Sequence, residues 1–100
     1  MNREPNTTMI GQKWPNDLLK LVWEKGIIIP NYPQDLWRLD YCGGIMNFTE
    51  HGNTDSKYGW EIDHINPIAN GGNDNFQNLQ PLNWEVNRKK SDRLDFKCLV

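Results

Sequence analysis

The amino-acid sequence predicts an α+β domain in which one helix precedes several short strands and a second helix follows them. Apolar residues recur at helical spacing across residues 15–25, which predicts the first helix. Strand-like runs occur at residues 45–48 (IMNF) and 58–65 (YGWEIDHI), with turn-forming residues between them. The second helix is expected from about residue 84, because Asn83 is a good N-cap residue.

The first helix is expected to bury one apolar stripe and to follow a flexible tail of residues 1–12. The stripe consists of Leu18, Leu19, Val22 and Trp23. Beyond the helix, Pro30, Pro33 and the Gly43-Gly44 pair are expected to interrupt regular structure.

The second half of the chain has the predicted order strand, polar loop, short strand, helix. The loop covers residues 66–77, where Gly71 and Gly72 are expected to serve loop geometry. Residues 78–82 predict a short strand, and Pro81 places it at a sheet edge because proline donates no hydrogen bond. His51 lies in the earlier turn and is expected to be a solvated loop residue.

Length and composition limit the class of protein. One hundred residues, of which 37% are hydrophobic and 24% charged, predict a single soluble domain. The sequence has no apolar run of membrane-spanning length and no signal-peptide pattern at its start, so a cytoplasmic protein is expected. Cys42 and Cys98 could pair, but two thiols do not make a disulfide scaffold, and reduced cysteines suit the cytoplasm.

Residues 61–67 (EIDHINP) place an acidic residue beside a histidine at the end of a predicted strand. Adjacent strand side chains point to opposite faces, so Asp63 and His64 can serve one site only if the strand ends or bulges there. Pro67 favours such an end. Glu61 points in the same direction as Asp63 and is expected to support it.

The segment EIDHINPIANGGNDNFQNLQPLNWEVNRKKSD (61–92) resembles the motif of the HNH endonucleases. That motif has an Asp-His pair on a strand, a Gly-containing loop, an Asn-Leu pair, and a His or Asn on a helix followed by a basic residue. The upstream stretches VWEKG and WRLDYCGG are similar to those of small stand-alone bacterial and phage members. The resemblance implies a ββα-metal (His-Me finger) core over residues 57–93, with an additional N-terminal helix and β-hairpin.

The resemblance also implies roles for individual residues. His64 takes the position of the general base, which accepts a proton from the attacking water. Asp63 and Asn87 take the positions of metal ligands, and two oxygen ligands without a second imidazole favour one Mg²⁺ or Mn²⁺ ion over Zn²⁺. Asn78 takes the position of the Asn that braces the loop and orients the base. These roles imply hydrolysis of DNA to 3′-hydroxyl and 5′-phosphate ends.

Many HNH proteins also hold a structural zinc ion with two CxxC pairs. Those cysteines would fall here at positions 39, 42, 83 and 86, of which only Cys42 is a cysteine. No structural zinc is therefore expected, and Trp37, Trp60 and Trp84 are expected to supply the packing in its place.

Positive charge is concentrated after the motif. Residues 1–87 carry six Lys/Arg against eleven Asp/Glu, a net of −5, whereas residues 88–100 carry five against two, a net of +3. Lys90 lies one turn beyond Asn87 on the same helical face and is expected to meet charge that develops on the phosphate. The basic residues expected to contact flanking phosphates are Arg88, Lys89 and Arg93.

DNA is therefore the expected partner. Neither an organic cofactor nor a membrane is expected, and assembly into a homodimer is left open by the sequence. Two alternatives also stay open at the level of sequence. One is a non-cleaving nucleic-acid-binding or protein-interaction module on the same fold. The other is a toxin nuclease paired with an immunity protein.

Overall fold

The computed structural model describes residues 3–98, which form an α+β fold with two small antiparallel sheets, as the sequence predicts. The elements in chain order are α1 (Asn16–Trp23), β1 (Ile27–Ile28), β2 (Trp37–Leu39), β3 (Ile45–Asn47), β4 (Trp60–His64), β5 (Leu79–Asn83) and α2 (Trp84–Lys90). Short 3₁₀ turns occur at Phe48–Glu50, Ile68–Asn70 and Phe76–Asn78. None of the helices in this part of the chain is long and apolar enough to span a membrane.

Helix α1 depends on packing for its stability, because eight residues are too few for a stable isolated helix. The predicted apolar stripe is confirmed: Val22 and Trp23 are fully buried, while Leu18 and Leu19 are partly buried against the same cluster. The Trp23 and Trp60 rings lie 5.2 Å apart at the centre of the core. The indole Nε1 of Trp23 donates to the carbonyl oxygen of Gln34, so this burial leaves no polar atom of Trp23 unpaired.

The first sheet has the order β1–β2–β3, and its β2–β3 hairpin is formed by a pair of strands that differs from the pair the sequence suggested. The sequence did not predict β1 or β2, since strands of two or three residues are too short to show a periodic pattern. Residues 45–48 and 58–65 were expected as neighbouring strands. They contribute instead to different sheets, and the Asn47 amide donates to the Tyr58 carbonyl between them (N to O 2.9 Å).

The second sheet consists of β4 and β5, and α2 begins directly after it. The register runs without interruption from Trp60 opposite Asn83 to His64 opposite Leu79. Pro81 lies in β5, a strand that pairs only with β4, as its lack of a donor requires. Asn83 caps α2 as predicted, because its side-chain oxygen accepts a hydrogen bond from the Glu85 amide.

The segment before α1 was expected to be a flexible tail, but its described residues 3–12 make specific contacts with the domain. Asn6 Oδ1 accepts a hydrogen bond from the Ile62 amide of β4, with 2.8 Å between the atoms. The Met9 amide donates to the Asp74 carboxylate in the loop before β5. The N-terminal segment, residues 3–12, is thus attached at two points beside the end of β4.

The two cysteines are joined in a disulfide, with 5.3 Å between their Cα atoms. The expectation of reduced thiols is therefore wrong for this structure. That expectation was based on the number of cysteines alone. In the fold, Cys98 lies next to Cys42 in the β2–β3 turn, although the two are 56 residues apart in the chain. The prediction of a cytoplasmic protein loses the support that reduced thiols gave it.

Candidate active site

A cleft of about 440 Å³ lies where the end of β4 meets α2. Four of the predicted site residues line it, namely Asp63, His64, Asn87 and Arg88. The N-terminal segment contributes Arg3 and Asn6 to the same lining, which the sequence did not predict. The cleft therefore collects side chains from three separate parts of the chain.

Asp63 and His64, which both belong to the lining of the cleft, are the last two residues of β4. The pairs Asp63–Gln80 and His64–Leu79 continue the regular register, so β4 contains no bulge. Beyond His64 the backbone turns toward Asn78, whose side-chain oxygen accepts from the Asn66 amide. Of the two explanations for how neighbouring residues reach one site, the strand end is the one observed.

The Asp63 carboxylate is buried and held by two donors. Gln80, directly across the sheet, donates from Nε2 to Asp63 Oδ2 over 2.9 Å. The Lys90 ammonium lies 3.2 Å from the same oxygen. Burial raises the pKa of Asp63 above its ordinary value, although both donors act to lower it. Gln80 was not predicted, but its place opposite Asp63 follows from the register.

Lys90 is more deeply buried than we expected of a phosphate-binding residue, with 3% of its surface exposed. Its ammonium also donates to the carbonyl oxygen of His64, with 3.0 Å between the atoms. These contacts tie α2 to the end of β4 and compensate the buried charge of Asp63. The partners of Lys90 in this structure are thus the site residues themselves.

Asn87 is oriented by Glu61, a buried carboxylate on β4. Asn87 Nδ2 donates to Glu61 Oε1 over 2.8 Å, so the amide oxygen of Asn87 is left for another partner. Arg88 donates to the other Glu61 oxygen, also over 2.8 Å. Glu61 was expected to support Asp63, but its contacts are with α2 instead. About 45% of the Arg88 side chain stays exposed.

His64 is buried between Trp14 and the loop before β5. The ring centroids of Trp14 and His64 lie 5.6 Å apart. His64 Nε2 lies 2.8 Å from Asp74 Oδ1. The sequence offered no signal for Asp74, because it lies in a polar loop without periodicity, ten residues after the histidine.

Asn78 braces the loop as expected. Its Nδ2 donates to the carbonyl oxygens of Asn66 and Asn73, while its Oδ1 accepts from the Asn66 amide. Gly71 has a φ of +88°, and a Cβ on Gly72 would collide with the Asn66 carbonyl. The loop geometry thus requires both glycines.

The remaining basic residues lie outside the lining of the cleft. Lys89 and Arg93 are exposed beyond it, and Arg93 donates to the Lys89 carbonyl. His51 was expected to be solvated, but it is half-buried, packs on Trp60 and lies 3.1 Å from Asn6 Oδ1 through its Nε2. Burial lowers the pKa of His51.

Asp40 and Asn83 join the two segments in which many HNH proteins carry zinc ligands. The buried Asp40 carboxylate accepts hydrogen bonds from the amides of Cys42, Gly44 and Asn83. Asn83 in turn donates to the carbonyl oxygens of Ile45 and Lys57. Of the tryptophans expected to pack here, Trp60 is fully buried, while Trp37 and Trp84 are half-buried.

Within residues 3–98 there is no cluster of three or more His, Cys, Asp or Glu side chains that could hold a metal ion. The residues that line the cleft include the predicted oxygen donors, the Asp63 carboxylate and the Asn87 amide, and also Asn6, Ser91 and Asp92. The predicted pair suits a hard cation that keeps several water ligands, of which Mg²⁺ is the usual example.

The sequence was compared with protein-family models, with curated proteins and with solved structures. A family model described as HNH endonuclease matches residues 41–93, just over half of the chain. The chain belongs to the HNH endonuclease family. No curated protein and no solved structure gave a significant match. The HNH match spans β3 to α2 and so includes Asp63, His64 and Asn87, and it indicates nuclease chemistry in general.

Proposed function

We propose that this HNH protein is a metal-dependent endonuclease that hydrolyses DNA, with His64 as the general base. Asp63 and Asn87 would be ligands of one divalent cation. The observation that carries the proposal is that these three residues, from β4 and α2, belong to the lining of one cleft. A base beside two oxygen donors is the set that hydrolysis of a phosphodiester requires.

The donors at the cleft fit Mg²⁺ or Mn²⁺. Asp63 and Asn87 are each held in place by a buried partner, and a carboxylate retains lone pairs beyond those that Gln80 and Lys90 use. Water and a phosphate oxygen would complete the coordination, as is usual for Mg²⁺. When bound, the ion supplies positive charge for the scissile phosphate and the departing 3′ oxygen.

The protein's own residues then have distinct tasks. His64 accepts a proton from a water molecule whose oxygen forms the new bond to phosphorus. The bond from phosphorus to the 3′ oxygen breaks, which leaves a 3′-hydroxyl and a 5′-phosphate. Arg88 is the basic side chain of α2 that lines the cleft, so it is placed to contact the phosphate. Lys90 holds Asp63 in position.

Cleavage of plasmid DNA tests this function directly. We expect the purified protein to nick or linearise a supercoiled plasmid in the presence of Mg²⁺ or Mn²⁺, and EDTA to abolish the reaction. End-labelling of the products should find 3′-hydroxyl and 5′-phosphate termini. Absence of metal-dependent cleavage on duplex, single-stranded and branched DNA would contradict the enzyme and favour a non-cleaving module on the same fold.

Substitution of Asn87 tests the assignment of the metal ligands. We expect Asn87→Ala to weaken Mn²⁺ binding by about tenfold or more, because it removes one of two protein oxygens. Titration calorimetry of the DNA-free protein measures this without reference to activity. Asn75→Ala is the matched control, since Asn75 is exposed in the loop and does not line the cleft. Equal Mn²⁺ affinity of Asn87→Ala and the wild type would refute the assignment.

A further inference from the structure

We propose that Asp74 is a positioning residue for His64, and that the N-terminal segment holds Asp74 in place. This inference rests on the proposed function, since it concerns the orientation of the general base. Asp74 comes from the loop before β5, outside the strand and the helix that carry Asp63, His64 and Asn87. Its role is to act through His64 without touching the substrate.

The contact between Asp74 and His64 determines which ring nitrogen is free. A carboxylate accepts hydrogen bonds, so the 2.8 Å separation from Asp74 Oδ1 places a proton on His64 Nε2. The neutral ring then carries its lone pair on Nδ1. Asp74 does not belong to the lining of the cleft, whereas His64 does. Nε2 is therefore engaged by Asp74, while Nδ1 makes no hydrogen bond within residues 3–98, so Nδ1 is the nitrogen available to accept a proton from water.

Asp74 alone would hold the ring weakly, because about 38% of its side chain is exposed. The Met9 amide supplies the missing constraint, since its nitrogen lies 2.9 Å from Oδ1 and 3.1 Å from Oδ2 of Asp74. Met9 occupies the second position of a turn that the Gly11 amide closes onto the Thr8 carbonyl. The backbone of the N-terminal segment thus fixes the carboxylate that in turn orients the imidazole.

Asn6 anchors the same segment a few residues earlier. Its side-chain oxygen accepts from the Ile62 amide, two residues before His64 on β4. Residues 3–12 are therefore attached to the site by two contacts, Asn6 with Ile62 before the histidine in the chain and Met9 with Asp74 after it. The N-terminal segment acts as part of the active site, although it lies outside residues 41–93 that match the family.

The first test compares three substitutions in the full-length protein. Asp74→Ala should lower kcat for DNA cleavage by about 10- to 100-fold with little change in KM, since a supporting partner of the base is lost. Asp74→Asn should retain most of the rate, because an amide oxygen also accepts from Nε2–H. Asp55→Ala, at an exposed turn whose side chain makes no hydrogen bond within residues 3–98, should match the wild type. Wild-type kcat in Asp74→Ala would overturn the proposal.

The second test does not depend on cleavage. An imidazole N–H that is hydrogen-bonded to a carboxylate exchanges slowly with water and can be detected by proton–nitrogen NMR. A ring N–H without such a partner exchanges too fast to be detected. We expect the Nε2–H signal of His64 in the wild type and in Asp74→Asn, and its loss in Asp74→Ala. Should the wild type prove inactive on DNA, this signal still decides the positioning role. Persistence of the signal in Asp74→Ala would exclude it.

A backbone substitution tests the part played by the N-terminal segment. Met9→Pro removes the amide that binds Asp74 but suits the second position of a turn. Met9→Ala is the control, because it keeps the amide and changes only an exposed side chain. We expect Met9→Pro to lower kcat by about tenfold and Met9→Ala to leave it unchanged. Equal rates in the two variants would refute the contribution of the segment.

Discussion

Replacement of His64 with Ala is expected to lower the rate of metal-dependent DNA cleavage by about 10²- to 10⁴-fold, the usual contribution of a general base. His64 belongs to the lining of the cleft together with Asp63, whereas His51 does not. Since proton transfer belongs to the chemical step, the loss should appear in kcat and not in KM. Single-turnover cleavage of a labelled duplex at saturating Mg²⁺ measures it.

The controls for His64→Ala separate lost chemistry from lost structure. His64 is buried against Trp14, so thermal unfolding of the variant should be recorded alongside the kinetics. His51→Gln serves as the matched histidine control, because His51 lies outside the cleft and the Gln amide can still donate to Asn6 Oδ1. Added imidazole should restore part of the rate if it can enter the space that His64 leaves. Cleavage by a folded His64→Ala protein at the wild-type rate would exclude His64 as the base.

Replacement of Asp40 with Ala is expected to lower the free energy of unfolding by about 3 kcal/mol or more. The carboxylate is 1% exposed and accepts hydrogen bonds from three backbone amides, those of Cys42, Gly44 and Asn83. Each buried donor left without a partner costs about 1–3 kcal/mol. Chemical denaturation under non-reducing conditions, which keep the nearby disulfide intact, measures the change.

A second substitution at the same position tests the reason for the loss. Asp40→Asn keeps the size of the side chain but presents an NH₂ group to one of the amides, so an intermediate loss of about 1–3 kcal/mol is expected. Asp35→Ala is the matched control at an exposed position. An unchanged unfolding midpoint in Asp40→Ala would show that other contacts hold the β2–β3 turn against the start of α2.

These two residues illustrate different degrees of predictability. His64 could be selected from the sequence, because an Asp-His pair followed at set intervals by Asn78 and Asn87 is a specific pattern. The role of Asp40 could not be predicted from the sequence. The cysteine spacing indicated that zinc ligands are absent, but nothing in it indicated that the Asp40 carboxylate accepts hydrogen bonds from three backbone amides. The same limit applies to Glu61, whose expected partner was Asp63 but whose observed partners lie on α2.

The sequence also predicted elements better than their assembly. Helical spacing located α1, and the Asn83 cap located the start of α2, because both signals depend on residues close in the chain. The pairing of β2 with β3, and of β4 with β5, depends on contacts between distant residues. Strands of two to five residues carry too little periodicity to reveal such partners.

By itself, the sequence determined the α+β class and the order of the ββα elements. The pattern of residues 61–92 also selected Asp63, His64 and Asn87 as candidate site residues. The tertiary structure alone decided what surrounds them. It placed Lys90 on Asp63, Asp74 on His64, and residues 3–12 beside the cleft. The physical reason is that a hydrogen bond or an ion pair depends on distance in space, and the fold brings together groups that lie ten to sixty-five residues apart in the chain.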